Sequence, residues 1–493
     1  MGARPRDGLG LLCRGCARRE NLGTLGRVII EAARGNEMKF DAIAIGSGQA
    51  GNPLSFALAD LGWKVALIER AELGGSCINT GCTPTKTMVA SAQVVHYARE
   101  SARWGVRASD VSVDMPAIVA RKMQKVQNGR AGIQKRIDAR PNVKLIHGQA
   151  KFTGPHQVQV GAELFESEKI FIDTGTRPAI PRVPGLDTVP FLTNATVMEL
   201  QTVPEHLLVL GGGYIGLEFA QIFRRFRSRV TIIHTGARIM PREDADIASA
   251  LQKVLEAEGI ELRVNTVTKR AENRNGVIAL TVETPQGGEI LQGSHLLVAT
   301  GRRPNTDDLG VEAAGVAVDS RGYIKVNGRM ETNVPGIWAL GDVKGGPAFT
   351  HISYNDYQIA YANIVEGKNL SIENRYLPYA LFTDPQLGRV GITEGEARDS
   401  GRKFKMGTFP MSSVSRAIER DETAGLMKII VDAQTDRILG AAILGSEGGE
   451  TVQILGAMIL ADAPWTVLKG AVFIHPTLAE GFFGLMESVK LAS

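Results

Sequence analysis

Two cysteines in a glycine-rich segment are the residues of this chain best suited to redox chemistry. Cys77 and Cys82 lie close enough in sequence for a disulfide to be allowed. Pro84 suits the first turn of a helix, so Cys82 is expected near a helix N-terminus, where the pKa of a thiol is lowered. The thiolate attacks a disulfide, binds a soft metal or donates to an oxidised flavin. The alternative is a pair of buried structural cysteines in a strand–helix loop.

Two glycine motifs, one on each side of the cysteines, predict dinucleotide-binding loops. Each follows an apolar strand pattern and precedes an apolar helix pattern, and each reads G-x-G-x-x-G. The glycines permit a tight turn and let the backbone approach a pyrophosphate at a helix N-terminus, although such turns also occur for packing alone. The two sets are Gly46, Gly48 and Gly51, and Gly211, Gly213 and Gly216.

The strand that follows each motif distinguishes the two cofactors. Glu69 ends a strand pattern 18 residues past Gly51, and His234 ends one 18 residues past Gly216. An acid at this place hydrogen-bonds a ribose hydroxyl, so Glu69 fits a cofactor with a free 2′-hydroxyl, such as FAD. His234 does not fit that role, and Arg238 follows it. Histidine and arginine can pair with a 2′-phosphate, which predicts a preference for NADPH over NADH.

The remaining periodicity predicts an α/β protein with two Rossmann-like dinucleotide-binding domains and a C-terminal α+β domain. A strand is expected at 39–45, and alternating strands across 260–300. Short strand runs at 427–431 and 438–444 mark the C-terminal domain. Helices are expected at 85–105, 115–139, 449–461 and 476–489.

Composition and charge exclude several function classes. The 493 residues suggest about three domains, and 44% hydrophobic with 22% charged residues is ordinary for a globular protein. Of the net charge of +4, residues 1–37 carry +3, from seven arginines and four acids, so no basic body suited to nucleic acid is expected. No apolar run reaches the roughly 18–20 residues of a membrane span. Four cysteines in two close pairs favour redox or metal chemistry in a reducing compartment, here the cytoplasm.

The cysteine segment resembles a known family. Its residues Cys77, Asn79, Gly81, Cys82, Pro84 and Lys86 match the string C-x-N-x-G-C-x-P-x-K. This string is similar to that of the class I pyridine nucleotide–disulfide oxidoreductases, and the resemblance covers essentially 38–493. It implies an FAD domain at 38–185 and 300–370, an NAD(P)H domain at 186–299 and a dimerisation domain at 375–493.

The resemblance also implies roles for individual residues. Lys86 resembles the lysine beside flavin N5, and Glu218 resembles its partner. Tyr214 resembles the ring that gates the nicotinamide pocket, and Asp342 the carboxylate that contacts the ribityl chain. The stretches 174–178 and 299–304 resemble the two crossings between the FAD and NAD domains. Further cofactor-binding candidates from the same matches are Ser76, Ala150, Thr174, Gly175, Ile215 and Gly301.

A histidine–glutamate pair near the end of the chain resembles the family's H-P-T-x-x-E motif. Its members here are His475 and Glu480. Histidine suits proton transfer near neutral pH, and a carboxylate can orient it; a lone histidine would more simply be a structural hydrogen-bonding group. In the family this histidine serves the interchange thiol of the other subunit. The resemblance therefore implies a homodimer.

The implied reaction is a hydride relay from NAD(P)H to FAD and then to the Cys77–Cys82 disulfide. Cys82 is the implied charge-transfer thiolate, and Cys77 the exposed interchange thiol that meets a disulfide or a soft metal ion. The overall sequence resembles the mercuric-reductase-like branch of the family most. However, the chain ends without the vicinal cysteines that deliver Hg(II), and it keeps His475. Dihydrolipoamide dehydrogenase is the alternative enzyme, and a redox-silent flavoprotein scaffold is the alternative of another class.

Residues 1–37 fall outside the resemblance. We expect a disordered tail or an upstream start, with a mitochondrial transit peptide as the alternative. Cys13 and Cys16 invite a metal-site interpretation. The segment is too short for the N-terminal metal-binding domain that many mercuric reductases carry, so no metal site is predicted.

Overall fold

The computed structural model describes residues 37–492, and two parallel β-sheets form the centre of this part of the chain. The first sheet has five strands, in the order Ile337–Ala339, Ile170–Ile172, Ala42–Ile45, Val65–Glu69 and Val143–His147. The second has four, in the order Glu261–Arg263, Arg229–Ile233, His206–Leu210 and His295–Val298. The strands Ala42–Ile45 and Val65–Glu69 are buried along their whole length, as expected when helices cover both faces of a sheet. The predicted α/β class is confirmed.

Helices of the described chain cover each parallel sheet, and those at Ala245–Ala257 and Thr350–Val365 were not predicted from the sequence. Six helices pack around the two sheets: Gly51–Asp60, Cys82–Glu100, Met115–Asp138, Tyr214–Arg225, Ala245–Ala257 and Thr350–Val365. The helix expected at 85–105 begins earlier, at Cys82, and gives way to a 3-10 turn at Ser101–Trp104. This earlier start places Cys82 in the first turn, as Pro84 predicts. No helix in residues 37–492 is long and apolar enough to cross a membrane.

The two stretches predicted to cross between the sheets pair with each other. Thr176–Pro178 and Arg302–Pro304 form a two-stranded antiparallel ribbon. Arg302 donates to Thr176 Oγ1 at 2.7 Å and to the Thr176 carbonyl at 2.8 Å. The chain therefore crosses to the second sheet and returns from it through this one ribbon, beside the first sheet.

The predicted strand at 39–45 divides into two. Glu37–Lys39 pairs with Glu163–Glu166 in a small four-stranded sheet, whereas Ala42–Ile45 belongs to the large parallel sheet. Asp41 lies between them, and its backbone N–H donates to the Lys64 carbonyl instead of continuing either ladder. Glu37, one residue before the expected start at 38, already lies in a strand.

The C-terminal part is an antiparallel sheet flanked by helices, as expected for an α+β domain. Its six strands run in the order Tyr379–Leu381, Gln386–Gly391, Ile438–Gly445, Leu426–Asp432, Phe404–Pro410 and Lys490–Leu491. The helix expected at 449–461 is found at Gly448–Leu460. The helix expected at 476–489 is wrong at its start: it spans only Gly481–Glu487. Thr477 and Glu480 form a capping box around a 3-10 turn, so the segment at Pro476 is a turn that precedes the helix.

A buried ionic cluster attaches this C-terminal sheet to the second parallel sheet. Arg389 is 1% exposed and bonds Glu243 at 2.7 Å and Asp244 at 2.8 Å. The Tyr379 hydroxyl bonds the same Glu243 at 2.5 Å. Removing one partner of such a buried pair costs about 3–5 kcal/mol, because the other charge stays buried without compensation. The cluster therefore fixes the C-terminal sheet to the segment that follows the strand Arg229–Ile233 of the second parallel sheet.

Candidate active site

One large cavity brings together most of the residues singled out in the sequence. Its volume is about 1930 Å³, well above the roughly 300–1,000 Å³ of a pocket for one small ligand, so it has room for two dinucleotides. The expected residues that line it are Gly46, Gly48, Glu69, Ser76, Cys77, Cys82, Lys86, Ala150, Thr174, Gly175, Gly211, Gly213, Tyr214, Ile215, Glu218, His234, Gly301 and Asp342. The expected residues that do not line it are Gly51, Gly216, Arg238, His475 and Glu480.

The first glycine loop fits the dinucleotide half of FAD. Gly46 has φ +108°, and a Cβ there would lie 2.2 Å from the Asp173 carbonyl oxygen, so only glycine fits. Glu69 is 9% exposed, and its carboxylate accepts from the Ser47 N–H at 2.9 Å, which holds it at the loop. It also lines the cavity, where it can accept from a ribose hydroxyl. The cradle and the acid have the chemistry that FAD requires.

The second loop repeats this geometry. Gly211 has φ +115°, and a Cβ there would lie 2.4 Å from the Ala299 carbonyl oxygen. The third glycine of each motif, Gly51 or Gly216, allows close packing, because a Cβ would lie 2.1 or 2.2 Å from the carbonyl of the first glycine. Gly213 has no atom within 4 Å of its Cβ position, which leaves open space for a pyrophosphate. The chain thus holds two similar dinucleotide cradles.

The structure separates the two residues expected at the 2′-phosphate. His234 lines the cavity, but its Nδ1 accepts from the Gly212 N–H at 3.3 Å, and burial lowers the pKa of its imidazole. A neutral ring carries no charge for a phosphate. Arg238 does not line the cavity, and its guanidinium donates to the Pro241 and Glu243 carbonyls at 3.4 and 3.3 Å. The basic residue that does line the cavity after this strand is Arg242, which the sequence reasoning missed.

The two cysteines lie at the junction of the cradles and are both free thiols. Cys82 is the first residue of its helix. A hydrogen bond from the Cys77 thiol lowers the pKa of Cys82 to about 6, with smaller contributions from Thr350 and Lys86. The same bond, together with burial, raises the pKa of Cys77. Cys82 is therefore the thiolate of the pair and Cys77 the proton donor to it.

The exposure of the two thiols differs from the expectation. Cys77 was expected to be the exposed thiol, but in the single chain it is half-buried, whereas Cys82 is exposed. Both thiols line the cavity, and Cys82 is the more exposed of the two. A cofactor in the cavity would cover it.

Lys86 and Glu218 form the predicted ion pair. Lys86 Nζ lies 2.8 and 2.7 Å from the two carboxylate oxygens of Glu218. Glu218 is 5% exposed and also accepts from the Phe382 N–H at 3.0 Å. The lysine, one helical turn after Cys82, is thereby fixed beside the thiols at the wall of the cavity.

The Tyr214 ring closes one side of the cavity. It packs edge-on against Phe349, with ring centres 5.9 Å apart, and against Tyr379, at 5.7 Å. Phe349 and Tyr379 stack on each other at 5.3 Å. Tyr379 is held in turn by Glu243, so the ionic cluster described above supports the position of Tyr214.

His475 and Glu480 form a hydrogen-bonded pair away from this cavity. His475 Nδ1 lies 3.0 Å from Glu480 Oε1, and the same carboxylate accepts from the Thr477 N–H at 3.0 Å. The His475 side chain is 70% exposed, and its neighbours Val472 and Ile474 are 96% and 80% exposed. Apolar side chains this exposed mark a contact surface. The pair therefore lies on a surface suited to contact with another protein chain.

Two further residues of the site were missed in the sequence. Thr350 Oγ1 lies 3.2 Å from Cys82 Sγ, and Asp173 lines the cavity beneath the first loop. A signal for Asp173 existed, since 172–178 and 298–304 read alike and carry an acid in one and Ala299 in the other. Nothing in the sequence pairs Thr350 with a cysteine 268 positions earlier. Within 37–492 no cluster of three metal-ligating side chains occurs, and Cys13 and Cys16 lie outside the described residues.

Comparison with known proteins agrees with this geometry. Residues 40–356 match the pyridine nucleotide-disulphide oxidoreductase family, and residues 377–484 match the dimerisation domain of that family. The probable pyridine nucleotide-disulfide oxidoreductase RclA of Escherichia coli is 38% identical over 92% of this chain and 100% of its own length. The dihydrolipoyl dehydrogenase of Thermus scotoductus is 37% identical, over 92% and 97%. The mercuric reductase of Streptomyces lividans is 34% identical, over 92% and 95%.

Solved structures give the same result. The Cu(II) complex of the HOCl-induced flavoprotein disulfide reductase RclA superposes with a TM-score of 0.83 at 36% identity, and covers 91% of this chain and 99% of that one. FAD dependence and the use of NAD(P)H accompany the family, and its dimerisation domain indicates a homodimer. The paired glycine cradles, the asymmetric thiols and these matches show that the chain belongs to the class I pyridine nucleotide-disulfide oxidoreductases.

Proposed function

We propose that this protein is an NAD(P)H-dependent flavoprotein reductase whose Cys77–Cys82 pair passes electrons to a small disulfide or to a soft metal ion. The observation that carries the proposal is the asymmetry of the two thiols inside a cavity bordered by both dinucleotide cradles. Cys82 has a pKa of about 6 and Cys77 a raised one. Such a pair holds one thiolate and one thiol at neutral pH, which is the state that dithiol–disulfide exchange requires.

Bound FAD supplies the two-electron reduction that regenerates the dithiol from the Cys77–Cys82 disulfide. Cys82 retains its negative charge at the wall of the cavity, where Lys86 lies nearby and Thr350 is within hydrogen-bonding distance. Lys86 is oriented by Glu218. These groups stabilise a thiolate without taking part in its oxidation.

Disulfide reduction follows from these positions. Cys77, once deprotonated, attacks one sulfur of the substrate, and the other sulfur leaves as a thiolate that takes a proton. We assign both proton steps to His475 of a second copy of this chain, oriented by Glu480: it takes the proton of Cys77 and delivers it to the first leaving thiolate. Cys82, as a thiolate, then attacks the Cys77 sulfur; the Cys77–Cys82 disulfide forms, and the second substrate sulfur leaves as a thiolate that takes a proton from solvent. Two electrons and two protons are transferred to the substrate.

A soft metal ion is the alternative acceptor of the same dithiol. Thiolates favour such ions, and the relatives include mercuric reductases and an RclA solved with Cu(II). Two Cu(II) ions oxidise the dithiol to a disulfide and become two Cu(I) ions. Residues 83–493 contain no cysteine, so no thiol of this stretch can take over an ion from Cys77 and Cys82. This difference from genuine mercuric reductases argues against Hg(II) as the dedicated electron acceptor.

The remaining assignments complete the proposal. We assign FAD binding to 38–185 and 300–370, NAD(P)H binding to 186–299 and dimerisation to 375–493. We retain the preference for NADPH, with Arg242 in place of Arg238 as the candidate for the 2′-phosphate. A reduced dithiol fits the cytoplasm, which we propose as the location.

An acceptor panel tests this function. Purified holoprotein is supplied with NADPH or NADH and with lipoamide, glutathione disulfide, Cu(II) or Hg(II), and Cys77→Ser is the control. We expect turnover of at least one disulfide or metal ion that is lost in Cys77→Ser. Turnover of lipoamide alone would identify a dihydrolipoamide dehydrogenase. A bound flavin that NAD(P)H cannot reduce would identify a redox-silent scaffold.

A further inference from the structure

A buried carboxyl group, that of Asp173, lies directly beneath the first dinucleotide loop. It follows the strand Ile170–Ile172 and is 7% exposed. Its Oδ2 accepts from the Gly51 N–H at 2.7 Å and from the Ala50 N–H at 3.2 Å. These N–H groups belong to the first turn of the helix Gly51–Asp60 and have no partner within the helix itself. Asp173 therefore satisfies the start of the helix from below the loop.

The glycines of two separate cofactor loops close around this one carboxyl group. A Cβ at Gly48, in the first loop, would lie 2.4 Å from Asp173 Oδ2. A Cβ at Gly341, at the start of the turn that carries Asp342, would lie 2.6 Å from Asp173 Oδ1. Contacts under 3.0 Å of this kind do not occur at real Cβ atoms. A side chain at either position would have to displace the Asp173 carboxyl group, so glycine fits both.

The second cradle of the same chain is an internal comparison. Its first glycine, Gly211, packs on the carbonyl of Ala299 as Gly46 packs on the carbonyl of Asp173. Ala299 thus holds the place that Asp173 holds in the first cradle. In the second cradle, the small side chain of Ala299 leaves the surroundings of Gly213 open. The carboxyl group is therefore an addition to the first cradle, and the common loop geometry forms without it.

The surroundings of Asp173 favour a neutral acid. In the described chain no lysine or arginine forms an ion pair with it, whereas the neighbouring Asp356 is paired with Lys344 at 3.0 Å and Arg375 at 2.6 Å. Burial raises the pKa of Asp173 well above its usual value, and the nearby charges of Asp342 and Asp356 raise it further. A neutral carboxyl keeps its acceptor oxygen for the two N–H groups and adds no negative charge next to a pyrophosphate.

We propose that Asp173 is a positioning residue for FAD, whose carboxyl group bonds the 46–51 loop and packs against Gly341 of the Gly341–Lys344 turn, and so keeps the two at their spacing around the cofactor. It acts by shape and by accepting hydrogen bonds, not by charge. The role rests on FAD dependence alone and is independent of which electron acceptor the protein uses. It also predicts that the NAD(P) cradle, with Ala299 at the equivalent place, does not need it.

Flavin-free protein tests this proposal without a turnover assay. FAD is titrated into apoprotein and its binding followed by flavin fluorescence, for wild type, Asp173→Ala and Asp173→Asn. Asparagine keeps the shape and the acceptor oxygen without charge, and is the matched control. We expect Asp173→Ala to bind FAD at least about tenfold more weakly, as expected for the loss of buried hydrogen bonds, and Asp173→Asn to bind within about threefold of wild type. NADP⁺ binding, measured by calorimetry on the same apoproteins, should be unchanged in both.

Three outcomes overturn the proposal. The first is Asp173→Ala binding FAD like wild type. The second is Asp173→Ala and Asp173→Asn losing affinity equally, which would assign the role to charge. The third is an equal loss of NADP⁺ binding, which would show general unfolding. Should Asp173→Ala fail to fold by circular dichroism, Asp173→Ser replaces it: its shorter side chain cannot reach both loops, and wild-type FAD affinity in that variant would equally refute the role.

Discussion

Thr350 Oγ1 lies 3.2 Å from Cys82 Sγ, and the two residues open two different helices. Thr350 begins Thr350–Val365, which packs on the first parallel sheet, and Cys82 begins Cys82–Glu100. The thiol therefore has a hydroxyl neighbour in addition to the N-terminus of its own helix. Both features favour the thiolate.

The first prediction concerns the pH dependence of this thiolate. With a pKa of about 6, Cys82 is a thiolate above pH 6 and loses that charge as the pH falls below it. Alkylation of reduced, flavin-free protein by iodoacetamide, quantified at Cys82 by peptide mass spectrometry, should therefore rise with a midpoint near pH 6. In Thr350→Val the midpoint should move up by about 0.5–1 pH unit, as expected for the loss of one modest hydrogen bond.

Thr350→Ser is the control for that experiment, because it keeps the hydroxyl and should keep the midpoint near pH 6. An unchanged midpoint in Thr350→Val would mean that the hydroxyl does not stabilise the thiolate. A wild-type midpoint near the ordinary value of about 8.5 for a free cysteine would contradict the assignment of Cys82 itself.

The second prediction separates the roles of the two thiols. Cys82 has the lowered pKa and faces the cavity, so it should be the donor to the oxidised flavin. Two-electron reduction of the holoprotein should produce a long-wavelength thiolate-to-flavin absorbance. Cys77→Ser should keep that absorbance, and Cys82→Ser should abolish it. The assignment fails if the two variants give the same spectrum.

The third prediction concerns the choice of nucleotide. Arg242 lines the cavity after the strand Arg229–Ile233, whereas Arg238 is bonded to backbone carbonyls. Arg242→Ala should therefore raise the KM for NADPH about tenfold, as expected for the loss of one charge-assisted hydrogen bond, with little change for NADH. Arg238→Ala is the control and should not discriminate between the nucleotides. A higher kcat/KM for NADH than for NADPH in wild type would refute the preference.

The fourth prediction concerns the proton. A disulfide needs a proton for its leaving thiolate, and a metal ion needs none. His475→Ala should therefore reduce turnover of a disulfide acceptor by about 10²–10⁴-fold, the usual size of general acid–base catalysis, and leave Cu(II) reduction nearly unchanged. Steady-state rates with both acceptors, wild type against variant, decide the matter. Equal losses of turnover with the two acceptors would show that His475 does not transfer the proton.

The sequence by itself determined the features that depend on neighbouring residues. A strand, a glycine turn and a helix are local, so the two cradles, with Gly46 and Gly211 at positive φ, could be predicted from their spacing. Pro84 likewise located the helix start at Cys82 within a few residues. The helix expected at 476–489 begins only at Gly481, because the capping box of Thr477 and Glu480 forms a 3-10 turn before it.

Only the tertiary structure decided which distant side chains meet. Thr350 reaches Cys82 because two helices of different segments begin at the same cavity, and no local pattern encodes that contact. Arg242 replaces Arg238 at the cavity because the loop after the strand turns one guanidinium toward its own carbonyls. Asp173 meets Gly48 and Gly341 because parallel strands bring their carboxyl ends to one edge of a sheet. The spacing of residues along the sequence predicts which local motifs form. The packing of strands and helices decides which side chains of those motifs come into contact.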